Sequence, residues 1–262
     1  MLLAVDIGNT NIHFGLWDGT MWRVTWRART VANKMGDEYA VLLRNFLHSA
    51  ELDFQDVQHV VIASVVPVLT DAFRELVPRY FQADLLNINH TINTGVKIDI
   101  DLPEQVGADR IVNAAAVKML YGGGPAIVID FGTATTFDVI SREGAYIGGA
   151  ISPGINVALD ALVSRTARLY KVDLFPPPSA IGRNTSHALQ SGVFLGYVSL
   201  VEGLARRLKA ALQEDPDGVR VIATGGLAPL FNQHTDVIDE IVDSLTLDGM
   251  RVIWELNHDG AG

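Results

Sequence analysis

The chain has 262 residues, of which 48% are hydrophobic, and it carries a net charge of −10. This composition supplies a packed core and excludes a disordered chain. The negative charge argues against sequence-independent nucleic-acid binding, which needs a basic surface. Cysteine is absent, which excludes disulfides, thiolate catalysis and cysteine-ligated zinc. Neither a signal-peptide pattern nor an apolar run near the roughly 20 residues of a membrane span is evident, so we expect a soluble, cytoplasmic protein without membrane or nucleic-acid partners.

The first half of the chain alternates predicted strands with predicted helices. Apolar runs between turn residues predict the strands, and apolar positions at helical spacing predict the helices. In chain order, these are strands at Leu2–Val5, Ile12–Trp17 and Trp22–Arg27, a helix at about Asp37–Ala50, a strand at Val60–Val66, a helix from Pro67 to Tyr80, a strand at Asp84–Ile88 and a helical run at Ile111–Leu120.

The second half restarts the same pattern. Its predicted elements are strands at Ala126–Ile129 and Thr136–Ile140, helices at about Ile155–Leu169 and Ser186–Leu212, and a strand at Val219–Ala223. Each half opens with a strand, an Asp-x-Gly turn, a second strand, another turn and an extended segment, which indicates an internal duplication. The sequence therefore predicts an α/β protein with two lobes, assigned to domains 1–115 and 116–262.

The first Asp-x-Gly turn is the segment Asp6-Ile7-Gly8-Asn9-Thr10-Asn11. A buried strand delivers a carboxylate at its end, glycine lets the backbone turn sharply, and small polar side chains follow. Such a turn can direct amides and hydroxyls at phosphate oxygens while the carboxylate holds a cation or its water. The alternative is an ordinary hairpin turn, for which Asn and Gly are favoured residues.

The second turn, Asp130-Phe131-Gly132-Thr133, repeats this plan with hydroxyls where the first copy has amides. Chance duplication of a whole strand-turn-strand unit is much less frequent than chance occurrence of one turn. Two acidic turns, one from each lobe, can share a metal–triphosphate in one cleft. The pair therefore favours phosphate handling over two unrelated hairpins.

Three further segments combine residues suited to binding with a plainer structural explanation. Thr224-Gly225-Gly226 follows a strand and could admit adenine and ribose against bare backbone, or simply relieve strain at a turn. Asp109-Arg110 sets a base beside an anion clamp, or places a cap and a surface charge at a helix start. Gly182-Arg183-Asn184-Thr185 could bind a polar substrate or cap the following helix.

Several common sites are missing from the sequence. There is no Gly-x-x-x-x-Gly-Lys-Ser/Thr loop and no Gly-x-Gly-x-x-Gly opening a helix after a strand, which excludes P-loop and dinucleotide-binding motifs. The seven histidines show no metal-ligand spacing, so we interpret each as a surface or core residue.

Taken together, five motifs resemble those of type III pantothenate kinases, over nearly the whole chain from Leu3 to about Pro229. They are Asp-Ile-Gly-Asn-Thr-Asn, Gly-Ala-Asp-Arg-Ile-Val-Asn, Asp-Phe-Gly-Thr-Ala-Thr-Thr, Gly-Gly-Ala-Ile-Ser-Pro-Gly and Gly-Arg-Asn-Thr. The resemblance implies two duplicated actin-like, ribonuclease H-like lobes, each a mixed sheet with flanking helices, and an ATP cleft between them. It also implies transfer of the γ-phosphoryl of ATP to pantothenate, the first step towards coenzyme A.

The resemblance also implies roles for individual residues. The ATP-phosphate segment is Asp6, Ile7, Gly8, Asn9, Thr10, Asn11, Ile12 and His13, with Thr133 and Gly225 as further ATP contacts. The pantothenate site is Gly107, Ala108, Asp109, Arg110 and Thr185, with Asp109 as general base. By the same resemblance, Asp130 is expected to hold a monovalent cation (K⁺ or NH₄⁺), and Asp6 to bind Mg²⁺ directly or through water. Members of the family form homodimers.

One position departs from the family pattern. Many members carry a tyrosine three residues before the proline that precedes Val-Gly-Ala-Asp-Arg, where it lines the substrate pocket, and this chain has Ile100. The open alternatives are an actin-like kinase or phosphohydrolase for another small acceptor, and a non-catalytic nucleotide-binding regulator. Asp109 favours the kinase, since a nucleotide sensor needs no acid at an acceptor site.

Overall fold

A computed structural model describes residues 1–166 and 168–258. The chain forms two units, Met1–Gly122 together with the described residues from Ser244 onwards, and Gly123–Asp243. The predicted division into 1–115 and 116–262 lies near the first of these boundaries. It differs at the C-terminal end, where the last helix groups with the first unit. Residue 167 of a predicted helix and residues 259–262 of the predicted second domain lie outside the described residues.

The first unit contains a five-stranded mixed sheet of order β3-β2-β1-β4-β5. Strand β1 is antiparallel to β2 and parallel to β4, which in turn is parallel to β5. The elements are β1 Leu2–Ile7, β2 Asn11–Trp17, β3 Trp22–Arg29, α1 Gly36–Ser49, β4 His59–Ser64, α2 Pro67–Tyr80, β5 Asp84–Asn87 and α3 Ala108–Leu120. Tyr39, Leu43 and Leu47 of α1 are buried in the core, as the predicted apolar stripe requires.

The second unit contains a second five-stranded mixed sheet, of order β10-β9-β6-β7-β8. Its elements are β6 Ala126–Phe131, β7 Ala134–Ile140, β8 Tyr146–Pro153, α4 Ile155–Ser164, α5 Thr185–Gln190, α6 Gly196–Ala211, β9 Arg220–Thr224, α7 Ala228–Asn232 and β10 Glu240–Ile241. Read from its other edge, the order β8-β7-β6-β9-β10 corresponds strand by strand to β3-β2-β1-β4-β5 of the first sheet. The predicted duplication is therefore confirmed.

Two predicted helices differ from those observed. The helix predicted at Ile155–Leu169 ends at Ser164. The long helix predicted at Ser186–Leu212 is divided into α5 and α6 by a π turn at Ser191–Leu195. A one-residue widening of the helical turn leaves the apolar periodicity nearly unchanged, so the pattern does not reveal it.

The helical stretch Thr185–Ala211 is long and apolar enough to cross a membrane by length and composition alone. The expectation that no apolar run approaches that length is therefore wrong for this stretch. Tyr197, Val201 and Ala205 are nevertheless buried on one side of α6. Tyr197 and Val201 belong to the hydrophobic core of the second unit, where the helix packs as a core element.

The C-terminal helix, α8 (Leu245–His258), packs against α3. A Cβ atom added at Gly249 would lie 1.9 Å from the backbone oxygen of Val112, so the absence of a side chain permits this close approach. The Thr246 hydroxyl donates to Asn113 Oδ1 at 2.9 Å. These contacts explain why the end of the chain belongs with the first unit, which its position in the sequence does not indicate.

Candidate functional site

The first Asp-x-Gly turn joins β1 to β2 at the carboxyl end of β1. The Gly8 amide donates to the backbone oxygen of Asn11 at 3.0 Å and closes the turn. From the end of β3, the Thr30 hydroxyl donates to the Gly8 oxygen at 2.6 Å, and the Thr30 amide donates to the Thr10 oxygen at 2.8 Å. The turn is thus anchored through its backbone, while the side chains of Asn9, Thr10 and Asn11 are exposed to a ligand.

His13 lies directly opposite Asp6 in the antiparallel pair of β1 and β2, so the two side chains share one face of the sheet. Arg27 is the partner of His13 on the neighbouring strand. Burial, followed by the Arg27 charge, lowers the pKa of His13 to about 4. The imidazole is therefore neutral at pH 7 and offers Asp6 no opposing charge.

Asp109 lies in the first turn of α3, and Gly107 is the N-cap residue. Asp109 does not occupy the N-cap position, but its carboxylate bonds a first-turn amide, as the plainer interpretation of a helix-capping residue expects. Its Oδ1 accepts from the Arg110 amide at 2.9 Å. Burial raises the pKa of Asp109, and the Arg110 amide and guanidinium partly oppose that rise.

The Asp109 carboxylate and the first turn lie at the same edge of the first sheet. Val65, just beyond β4, donates its amide to the backbone oxygen of Ile7, next to Asp6. A Cβ atom added at Gly107 would lie 3.3 Å from Val65 Cγ1 and 2.4 Å from Asp109 Oδ1. The carboxylate therefore folds over Gly107, beside the chain that continues from β4. A carboxylate with a raised pKa beside the Asp6 turn is suited to take the proton from the hydroxyl group of a phosphoryl acceptor.

The second Asp-x-Gly turn joins β6 to β7 in the equivalent position of the second sheet. A Cβ atom added at Gly225 would lie 2.6 Å from Asp130 Oδ1 and 2.8 Å from the backbone nitrogen and oxygen of Phe131. Gly225 also has φ +90°, a conformation that L side chains rarely adopt. Bare backbone after β9 thus forms one wall beside the Asp130 carboxylate.

Gly154 forms another wall of the second turn. Its amide donates to the backbone oxygen of Thr133 at 3.0 Å. A Cβ atom added there would lie 2.4 Å from that oxygen and 2.6 Å from the Gly132 oxygen. Thr133 itself is exposed. The turn is therefore held by backbone contacts that leave its hydroxyl accessible.

The Tyr197 hydroxyl lies near Asp130 and hydrogen-bonds the buried Thr135 hydroxyl. Burial raises the pKa of Tyr197, the Thr135 hydroxyl partly opposes this, and the Asp130 carboxylate adds to it. The phenol is therefore neutral at physiological pH and is available as a hydrogen-bond group in the carboxylate's surroundings.

Both turns provide the oxygen ligands that hard cations prefer. The second turn offers the Asp130 carboxylate, with the backbone oxygen of Phe131 beside the same glycine, Gly225, and such oxygen donors suit K⁺. The first offers the Asp6 carboxylate, which is sufficient for Mg²⁺ that retains most of its water. The residues present fit both implied cations.

The two other predicted substrate residues are placed differently. Ile100 is half-buried in the loop that precedes α3 in the first unit. Thr185 is the exposed first residue of α5 in the second unit. The cap of that helix is Asn184, whose Oδ1 accepts from the His187 amide at 2.8 Å. The Thr185 side chain therefore does not serve as the N-cap of α5.

Sequence reasoning missed two groups at these turns. Thr30 anchors the first turn, and Tyr197 lies near Asp130 in the second. Thr30 was missed because a polar residue at the end of a strand is common and predicts no particular contact. Tyr197 was missed because an aromatic residue on an apolar helix usually indicates only core packing. Gly154 stood within a recognised motif but was given no role.

Comparison with known proteins yields consistent sequence matches. The family described as type III pantothenate kinase matches residues 2–207. The type III pantothenate kinase of Roseiflexus castenholzii is 48% identical over 258 residues, covering 98% of this chain and 100% of that protein. The protein of the same name from Thermomicrobium roseum is 47% identical over 262 residues and covers 100% of both chains.

Solved structures share the fold at much lower identity. A Campylobacter jejuni protein described as a Baf family transcriptional activator has a TM-score of 0.61 at 22% identity, covering 98% of this chain and 99% of that one. The inorganic polyphosphate/ATP-glucomannokinase of Arthrobacter has a TM-score of 0.51 at 14% identity, covering 98% and 99%. At such identities the likeness concerns the fold alone, and with the two matching sheets it confirms the predicted actin-like fold.

Proposed function

Because the chain belongs to the type III pantothenate kinase family, we propose that its two Asp-x-Gly turns and the segment Gly107–Arg110 divide the work of phosphoryl transfer. The reaction is the ATP-dependent phosphorylation of pantothenate to 4′-phosphopantothenate, the first step of coenzyme A biosynthesis. Such a transfer needs positioning and charge neutralisation more than covalent assistance from the protein.

Asp109 is the general base in this proposal. Its carboxylate accepts the proton of the primary hydroxyl of pantothenate as the hydroxyl oxygen bonds to the γ-phosphorus and the bond to ADP breaks. The observation that carries this role is a carboxylate with a raised pKa, folded over Gly107 at the sheet edge of the Asp6 turn. Arg110 pairs with the pantothenate carboxylate, and Gly107 and Ala108 complete the pantothenate-binding segment.

The segment from Asp6 to His13 receives the phosphates of ATP. Three observations support this role: the backbone-anchored turn, its exposed amide and hydroxyl side chains, and the neutral neighbour His13. Thr133 and Gly225 are further ATP contacts, the first through an exposed hydroxyl and the second through bare backbone.

Asp6 holds Mg²⁺, directly or through water, and Asp130 holds a monovalent cation, K⁺ or NH₄⁺. When bound, these ions neutralise phosphate charge in the site. The different surroundings of the two carboxylates support the assignment. Exposed polar side chains follow Asp6, whereas the bare backbone of Gly225 lies against the Asp130 carboxylate.

The remaining assignments concern substrate and assembly. Thr185 and Ile100 complete the pantothenate site, and the KM for pantothenate measured on variants of each tests this. The protein is a cytoplasmic homodimer without nucleic-acid or membrane partners, with contact through the helical stretch Thr185–Ala211. A Cβ atom at Gly192 or Gly196 would meet nothing within 4 Å in the part of the chain that the structure describes, which leaves that face open to a partner. Light scattering should give twice the chain mass of 28.4 kDa.

A coupled ADP-release assay tests the function. The purified chain should release ADP from ATP only when pantothenate, Mg²⁺ and K⁺ are present, and other small hydroxy acids should support little release. Equal release with several acceptors would instead indicate a kinase for another substrate. Release without any acceptor would indicate a phosphohydrolase, and no release would indicate a regulator.

A further inference from the structure

Two histidines and one aspartate meet at the amino edge of the first sheet, at the opposite end of the strands from the Asp6 turn. His59 opens β4 and Asp84 opens β5, and they are register partners. His258 is the last residue of α8. One ligand atom from each of the three side chains lies within 4.8 Å of the others. None of these three residues lies at the edge of the first sheet that carries the Asp6 turn and Asp109.

His59 presents a buried ring nitrogen that is unsatisfied in the described part of the chain. Its Nδ1 has no hydrogen-bond partner among residues 1–166 and 168–258. Asp84 Oδ2 lies 3.8 Å away, which is too far for a hydrogen bond. Buried polar atoms are nearly always paired, so an unpaired ring nitrogen facing a carboxylate points to a ligand.

His258 is oriented as metal-binding histidines usually are. Its Nδ1 lies 2.9 Å from the backbone oxygen of Trp254, one helical turn earlier. Donation to that carbonyl places the ring proton on Nδ1 and leaves the Nε2 lone pair for a ligand. A backbone carbonyl is a common partner for the second nitrogen of a ligating histidine, since it fixes both tautomer and ring direction.

We propose that His59, Asp84 and His258 form a binding site for a divalent transition-metal ion, best matched by Zn²⁺. Two imidazoles and one carboxylate suit Zn²⁺, with water in the fourth position. Tetrahedral ligands at zinc distances lie about 3.3 Å apart. The Asp84 side chain is 80% exposed and can rotate to close the remaining gap.

Such an ion links the end of α8 to the starts of β4 and β5. These elements are far apart in the sequence, and the site lies away from the Asp109 edge. The bound ion therefore stabilises the first unit and takes no part in phosphoryl transfer. The competing explanation is a purely aromatic cluster, because the Trp254 ring centroid lies 4.9 Å from that of His59 and 4.5 Å from that of His258.

The test uses the full chain after chelator treatment and desalting, with Mg²⁺ in excess to fill oxygen-ligand sites. Calorimetry with Zn²⁺ should show one tight site per chain, and Zn²⁺ should raise Tm. Asp84→Asn, which leaves the aromatic cluster intact, and His258→Gln should each weaken binding by at least about tenfold and remove the Tm shift. His48→Gln, at an exposed histidine of α1, should bind as the unaltered chain does.

Co²⁺ provides a second readout. Its visible d–d absorption should indicate nitrogen and oxygen ligation in the unaltered chain and disappear in Asp84→Asn. Basal ADP release in Asp84→Asn should be unchanged. The proposal is overturned if Asp84→Asn binds Zn²⁺ as tightly as the unaltered chain, or if Zn²⁺ binding leaves Tm unchanged.

Discussion

The two Asp-x-Gly turns occupy equivalent places in two sheets of the same strand order, yet their surroundings differ. The Asp6 turn is tied from one side by Thr30 and leaves three polar side chains exposed. The Asp130 turn is enclosed by the backbone of Gly154 and Gly225. Duplication thus preserved the position of the carboxylate, while the neighbouring strands determine what each carboxylate can bind. An open turn with exposed polar side chains suits phosphates, and a carboxylate enclosed by bare backbone suits a weakly hydrated cation.

A substitution of Asp109 should have the largest effect. In the proposed mechanism the acceptor hydroxyl reacts at the edge of the first sheet that carries the Asp6 turn, where Asp109 lies. Asp109→Asn should lower kcat about 10²–10⁴-fold, since the amide cannot accept the hydroxyl proton. Thermal unfolding should show equal or slightly higher stability, because burial of the carboxylate is unfavourable. Asp101→Asn, at an exposed position of the preceding segment, is the matched control. Near-normal turnover by Asp109→Asn would remove this residue from the mechanism.

Gly225→Ala tests the enclosure of the second turn. The new Cβ atom would lie 2.6 Å from Asp130 Oδ1 at a φ of +90°. We expect a loss of about 1–3 kcal/mol in the free energy of unfolding, measured in urea. Gly8→Ala should cost less, because its nearest atom, the Asn11 backbone oxygen, lies 3.0 Å away.

Gly218→Ala is the matched control for these two variants, because Gly218 is exposed and lies outside the proposed dimer contact. The added Cβ atom would lie 3.9 Å from Asp215 Cβ, an ordinary van der Waals distance. The substitution should change stability by no more than about 0.5 kcal/mol. Equal losses in Gly225→Ala and Gly8→Ala would contradict the proposed difference between the turns.

The smallest expected effect is the contribution of His13, next to the first turn, to the pH dependence of the free energy of unfolding. Its folded-state pKa of about 4 lies below the unfolded value near 6.5, so the unfolded chain binds a proton that the folded chain does not. Its contribution to stability is present above pH 6.5 and is lost as the pH falls towards 4. The slope from His13 is at most about 1.4 kcal/mol per pH unit, and solvent screening reduces it.

His13→Gln should flatten this part of the pH profile. Urea unfolding at pH 4.5, 5.5 and 6.5 measures it, with His48→Gln as the control. A profile unchanged by His13→Gln would mean that its imidazole titrates normally in the folded protein.

The sequence predicted the features that depend on local pattern. Helix α2 begins at Pro67 and ends at Tyr80 as predicted, and both Asp-x-Gly turns join the expected strands. It did not predict the packing of α8 on α3, which depends on the missing side chain of Gly249. It also could not bring His59 to His258, because the spacing of histidines along the chain carries no information about such distant contacts.

The most direct test of unequal turns is ADP release by Asp6→Asn and Asp130→Asn during separate titrations of K⁺ and Mg²⁺. Asp130→Asn should raise the K⁺ concentration for half-maximal activity about tenfold and leave the Mg²⁺ requirement nearly unchanged. Asp6→Asn should do the reverse, since each carboxylate serves its own cation. If both variants shift the requirement for the same cation, the assignment of different roles to the two turns is wrong.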